Sequence, residues 1–154
     1  MPSNDIRFQA AATIHAPPEA VWAILTDYEK AHPSILPPKA FSDYTVLSGG
    51  HGDGTVASFI FNVGGARRAM RVTVSVPAEG QTLVETSADG ASSTTFNLSP
   101  LDDGRNTHLT ITTVLAGHGG LVGMVERLTT ALIAPAMQRV YQDEMRRLDD
   151  LAQR

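Results

Sequence analysis

Cysteine is absent from the 154 residues, which removes disulfides, thiolate metal sites and cysteine nucleophiles together. Basic residues are also scarce. Lys and Arg number 12 against 16 Asp and Glu, for a net charge of -4. A nucleic-acid binder needs a concentrated basic face; Arg67, Arg68 and Arg71 are the only mid-chain cluster, so no nucleic-acid partner is expected. Long apolar runs are missing as well. The best stretch, residues 128–137, holds two threonines and Pro135, and falls short of the roughly 20 residues of a membrane span. Stable membrane insertion is therefore not expected. The start, Met1 to Asp5, is polar and lacks the basic-then-apolar order of a signal peptide. A soluble, cytoplasmic protein is the expectation.

Metal-binding patterns are lacking too. His15, His32, His51, His108 and His118 show no i, i+4 pair and no HExxH, so neither a metal nor a cofactor is expected. The run from Gly52 to Ala57 fits G-x-G-x-x-A but precedes a strand instead of joining strand to helix, which excludes a dinucleotide loop. No nucleophile elbow, phosphate loop or paired-carboxylate motif occurs. Repeats, low-complexity tracts and linkers are also absent, so residues 1–154 read as a single domain. Hydrophobic residues at 42% and charged residues at 18% suit a globular chain with a sizeable core.

What is present is a clear order of periodicities. Ile6, Phe8, Ala10, Ala12 and Ile14 alternate with polar or small residues, the period of two of a half-buried strand. Pro17, Pro18 and Glu19 stop that strand and open a short helix carrying Val21, Trp22, Ile24 and Leu25. A second helical turn or two fits around residues 29–36. Segments near 40–48, 55–63, 66–77, 81–87, 92–99 and 106–116 are rich in Val, Thr, Phe and Ile. Short Gly and Asp-Gly separators between them predict hairpins and hence a six-stranded antiparallel meander. After Gly120 the period changes to about 3.6. Leu121, Val125, Leu128 and Leu132 form one stripe; Met137, Tyr141, Met145, Leu148 and Ala152 form the next. Pro135 between them predicts a kink or break.

Strand, short helix pair, meander and long final helix is the order of the helix-grip superfamily. The run Ile14 to Trp22, then Leu25, Thr26, Asp27 and Tyr28, then Pro33 and Pro37, resembles the opening of its bacterial polyketide cyclase/dehydrase-like branch (START-like, SRPBCC). Pro135 and residues 141–151 are similar to the closing helix. The resemblance implies an α+β helix-grip fold: a seven-stranded curved antiparallel sheet, two short helices after the first strand and a long C-terminal helix. It also implies a cavity between sheet and helix for a small hydrophobic or amphipathic ligand such as a lipid, polyketide or quinone-like molecule.

On that fold the walls are expected from Phe8, Ala10, Met70, Val72, Val74, Leu109, Ile111, Thr113, Val125, Leu128, Leu132 and Met137. Arg68 shares the phase of Met70, and Glu85 that of Leu83. Either the two point inward as an ion pair or a ligand contact, or strand ends leave both in solvent. His118 stands where the last strand hands over to the long helix, at the expected cavity mouth. No catalytic residue is assigned, and Arg68, Glu85 and His118 are the candidates. Tyr28, Tyr44, Trp22 and Tyr141 either line the pocket or, for Trp22 especially, pack the core. Asn62, Thr95 and Asn97 either serve a ligand or face solvent. Gly117, Gly119 and Gly120 together with Pro135 would let the helix swing as a gate. The functional expectation is binding, carriage or sensing of a hydrophobic ligand. The alternative is a cyclase- or dehydratase-type enzyme in the same cavity, and a third reading is a protein-interaction role. The sequence leaves oligomeric state open.

Overall fold

The structure is a computed structural model that describes residues 4–154. Strand β1 (Ile6–Ile14) is followed by helices α1 (Pro18–Thr26) and α2 (Ala31–Ile35). Six strands come next: β2 (Phe41–Ser48), β3 (Val56–Val63), β4 (Ala66–Ala78), β5 (Thr82–Ser87), β6 (Ser92–Leu101) and β7 (Asn106–Leu115). Helix α3 (Gly120–Ala152) ends the chain. All strands join one antiparallel sheet in the order β1-β7-β6-β5-β4-β3-β2. The first strand thus pairs with the last, and the α1–α2 segment carries the chain from one sheet edge to the other. This is the expected helix-grip architecture.

Local chemistry explains the breaks between elements. Pro17 is extended at φ -61° and ψ 153°, and its carbonyl accepts the N–H of Val21, so the helix starts with Pro18 where a missing donor costs nothing. The Asp27 carboxylate accepts the backbone N–H groups of Glu29, Lys30 and Ala31 at 3.1–3.2 Å, collecting the free donors that open α2. Pro77 cannot donate to a ladder, and the β4–β5 register shifts between Ser75 and Ala78. The β6–β7 turn runs through Asp102, Asp103 and Gly104, all at positive φ, where Asp is among the few side chains tolerated.

The register lines up one row of residues across the sheet. Val74 pairs with Glu85, Glu85 with Thr94, Thr94 with Thr113, and Thr113 with Phe8. One row away, Leu83, Phe96, Ile111 and Ala10 form the dry core floor. The buried side of α1 (Val21, Leu25) and the C-terminal half of α3 (Met137, Tyr141, Met145, Leu148) close over that floor. His15 fixes the far end: its backbone N–H donates to Asp149 Oδ1 at 2.7 Å.

Helix α3 has the expected length and runs through Pro135 without a break. Its first half departs from expectation. Leu121, Val125, Leu128 and Leu132 do not pack on the sheet; Leu121 is 79% and Leu132 82% exposed. A groove of about 1100 Å³ separates this half of the helix from the sheet, lined among others by Met70, Arg71, Leu115, Leu121 and Val125. The helix closes on the β3–β4 hairpin at Ile133, whose Cγ2 would lie 3.1 Å from a Cβ at Gly64, a turn residue with φ +57°. Length and composition also make α3 apolar enough to cross a membrane, its most apolar 18-residue window having a mean hydropathy of 1.2.

Candidate functional site

Between the sheet row and the buried half of α3 lies a cavity of about 240 Å³. Its apolar wall is aromatic: Phe41 packs on Phe59 and Phe61 with ring centroids 5.4 and 5.0 Å apart, and Phe8, Met70, Val72 and Met137 complete it. Its other wall is polar and ionisable, and it is assembled from α2, β2, β5, β6, β7, α3 and the segment between the two short helices.

The centre of that wall is Glu85, brought inward by the alternation of β5. Its Oε1 accepts the Tyr28 hydroxyl at 2.7 Å, and His32 Nε2 stands 3.5 Å from the same oxygen. His32 is buried, and its Nδ1 donates to the Leu25 carbonyl at 2.7 Å. The carbonyl can only accept, so that nitrogen carries the proton. The imidazole is held from both sides, stacked on Tyr28 at 4.4 Å and edge-on to Phe96 at 5.9 Å. Tyr44 locks the same corner, its hydroxyl donating to the Tyr28 carbonyl at 2.8 Å. Burial, reinforced by the Glu85 carboxylate, holds both the Tyr28 and Tyr44 phenols well above their ordinary pKa, so they remain hydrogen donors.

A second polar line runs from Thr94 to Thr113 at 2.8 Å and on to the Tyr141 hydroxyl of α3. One turn beyond Tyr141 is Glu144, 4% exposed and lining the cavity. Among the described residues no donor hydrogen-bonds to its carboxyl. Burial, with a further push from the charge of Glu85, raises its pKa to about 8.

The expected site residues divide into three groups. Phe8, Met70, Val72, Thr113 and Met137 line the cavity. Ala10, Val74, Leu109 and Ile111 are buried beneath it as core. Val125, Leu128 and Leu132 belong elsewhere: Val125 faces the outer groove, and all three are exposed because their half of α3 stands off the sheet. Neither alternative for Arg68 and Glu85 holds for both residues: they form no pair, Arg68 lies in solvent and Glu85 points inward. Arg68 has the inward phase, but β4 extends past the end of β5, whose pairing with β4 stops at Val72 and Ser87. Its side chain is therefore 70% exposed at the cavity mouth, 3.8 Å from Asp89, while Glu85 turns to Tyr28 and His32. His118 does lie at the groove, exposed and bonded to Glu126.

Of the aromatics, Tyr28, Tyr44 and Tyr141 line the cavity, whereas Trp22 sits half-buried with its indole N–H on Glu79 at 3.1 Å. Asn62 and Asn97 face solvent, and Asn97 accepts from Thr82. Gly117 lies so close to the Asn4 carbonyl that a Cβ has no room, so it serves the docking of the chain before β1 whatever it does for motion.

Sequence reasoning passed over His32 and Glu144. Both left a trace: His32 falls at i+4 from Tyr28 and three before Ile35, and Glu144 falls at i+3 from Tyr141 and four before Leu148. Each is an ionisable residue on an otherwise apolar helical stripe.

One curved sheet closed on a long helix, with a small cavity between them, makes this a helix-grip protein with an internal pocket. The chain belongs to the family described as polyketide cyclase / dehydrase and lipid transport, which it matches over residues 5–153. The solution structure of the KanY protein (ms6282) is similar at 27% identity and TM-score 0.82, with all of both chains covered. The aromatase/cyclase Zhui from Streptomyces sp. R1128 is similar at 19% identity and TM-score 0.72, over 97% of this chain and 94% of that one. Ara h 8.0201 is similar at 15% identity and TM-score 0.63, over 97% and 98%. These last two likenesses concern the fold alone. No curated protein matched the sequence.

Proposed function

We propose that the protein binds a compact amphipathic ligand in the cavity, its apolar body against Phe41, Phe59 and Phe61 and its polar end at Glu85 and Glu144. The observation that carries this reading is the division of one cavity into an aromatic wall and an ionisable wall. Ligand pockets typically measure ~300–1,000 Å³. At about 240 Å³ the cavity suits one or two rings and not a whole phospholipid, although a tail could run into the groove under α3. The family match from residue 5 to 153 supports reading the chain as one domain, and a soluble cytoplasmic carrier or sensor without stable membrane insertion is the setting we favour. Native mass spectrometry of protein purified from its own host tests the proposal. A co-purifying small molecule whose binding perturbs the amide signals of Phe59, Thr94 and Tyr141 is expected. Bare protein, together with perturbations confined to the outer groove, would overturn it.

A cyclase-type enzyme is the second reading, favoured by one specific observation. The cavity holds ionisable groups and not only hydroxyls, and a carboxyl with a pKa of about 8 is matched to proton transfer near neutrality.

A further inference from the structure

We propose that the ligand is a cationic amphiphile, an aromatic or alicyclic body bearing a protonated amine seated between Glu144 and Glu85. This rests on the cavity-binding reading above and names the chemistry of its polar end.

Tyr28 donates to Glu85, Tyr44 donates to a backbone carbonyl, and His32 Nδ1 donates to Leu25. Thr94, Thr113 and Tyr141 are engaged with one another. Among the described residues that leaves the remaining oxygen of Glu85 and both oxygens of Glu144 with no hydrogen-bond donor, in one cavity with two carboxyls. A buried carboxyl with no cation against it keeps its proton, as Glu144 does up to about pH 8, and ionises when a cation is seated beside it. Among the described residues on the lining, His32 meets Glu85 through one oxygen only, Arg68 is largely exposed at the mouth beside Asp89, and no cationic side chain pairs with Glu144. An ammonium group brings three donors and the missing charge. The rest of the wall fits the same guest, because phenyl and phenol rings accept an apolar body by stacking and a cation over their faces.

The alternative is that Glu144 simply stays protonated and takes a neutral hydroxyl. Calorimetry with two near-isosteres separates the cases: 4-phenylbutylamine and 4-phenylbutan-1-ol, at neutral pH and about 0.15 M salt to screen the exposed acidic surface. The amine is expected to bind about tenfold tighter or more than the alcohol. Glu144→Gln should bring the ratio close to one with the alcohol's affinity little changed, its fold checked by an unaltered circular dichroism spectrum. Equal affinity for amine and alcohol on the unmodified protein overturns the cationic ligand and leaves the cavity reading standing. An amine preference that survives in Glu144→Gln overturns the assigned seat. Binding of neither compound, with no shift of cavity resonances, overturns both readings.

Discussion

At the scale of single residues the Glu85 corner of the polar wall depends on one hydroxyl. Tyr28 bridges two buried systems: its ring stacks on His32, and its oxygen gives Glu85 the only hydrogen bond the carboxylate receives from a tyrosine. Tyr28→Phe keeps the stack and deletes the donor. A buried acceptor left without its partner costs about 1–3 kcal/mol, so a fall in urea stability of that size is expected. Combining it with Glu85→Gln should recover part of the loss, as a coupling of ~0.5–3 kcal/mol between contacting groups. Additive effects would show that Tyr28 acts by packing alone. The inward phase of Glu85 and of Arg68 was legible from alternation. Their partners were not, because pairing depends on where β5 ends relative to β4 and on a tyrosine 57 residues away in the chain. His32 and Glu144 were hidden for a different reason. Polar residues on apolar stripes violate the pattern that makes a stripe readable, and such violations collect at functional sites.

Among the elements, α3 is two helices in energetic terms. Its second half buries Met137, Tyr141, Met145 and Leu148, while its first half exposes Leu121, Val125, Leu128 and Leu132. Leu148→Ala is therefore expected to cost about 2–5 kcal/mol. Leu128→Gln and Leu132→Gln should each stay within ~0.5 kcal/mol, as exposed substitutions do. Chemical denaturation followed by circular dichroism measures all three. A loss at Leu128 or Leu132 approaching that at Leu148 would place the first half against a surface in solution. Strand boundaries, hairpins and the antiparallel order were legible because alternation, Gly turns and Asp-Gly turns agree along the whole meander. The two halves of α3 look alike in sequence, each with an apolar 3.6-residue stripe, and only the tertiary approach at Ile133 and Gly64 tells them apart. Periodicity identifies a face. It does not say whether anything meets it.

For the whole molecule, the ionisable groups work in opposite directions on stability, and their balance sets the pH at which the fold is firmest. Glu144, deep in the grip, has its pKa raised to about 8 by burial and by Glu85. The groups facing it are Glu85 from β5, Tyr28 ahead of α2 and Tyr141 on its own helix, with His32 at the Glu85 carboxylate. Unfolded, a glutamate titrates at about 4.3. Between that value and 8 the native state holds a proton that the unfolded state has released, so stability falls as pH rises through the window. The slope approaches about 1.4 kcal/mol per pH unit at its steepest. Asp27, Asp143 and Asp149 act the other way. Burial alone would raise them, but backbone donors at Asp27, Arg146 and Arg147 at Asp143, and His15 at Asp149 bring their pKa values below the ordinary one. Their contribution is present above about 3.9, the unfolded value, and is lost as pH falls through the folded values. Being only half-buried, they weigh less than Glu144. Stability should therefore peak in the mildly acidic range and decline toward pH 8, where many proteins are flat. Urea midpoints taken from pH 4 to 9 follow this directly. In Glu144→Gln the alkaline decline should vanish while the acid limb remains. A flat profile between about pH 5 and 8 in the unmodified protein, or an unchanged slope in the variant, would show that Glu144 is not the group whose proton the fold retains.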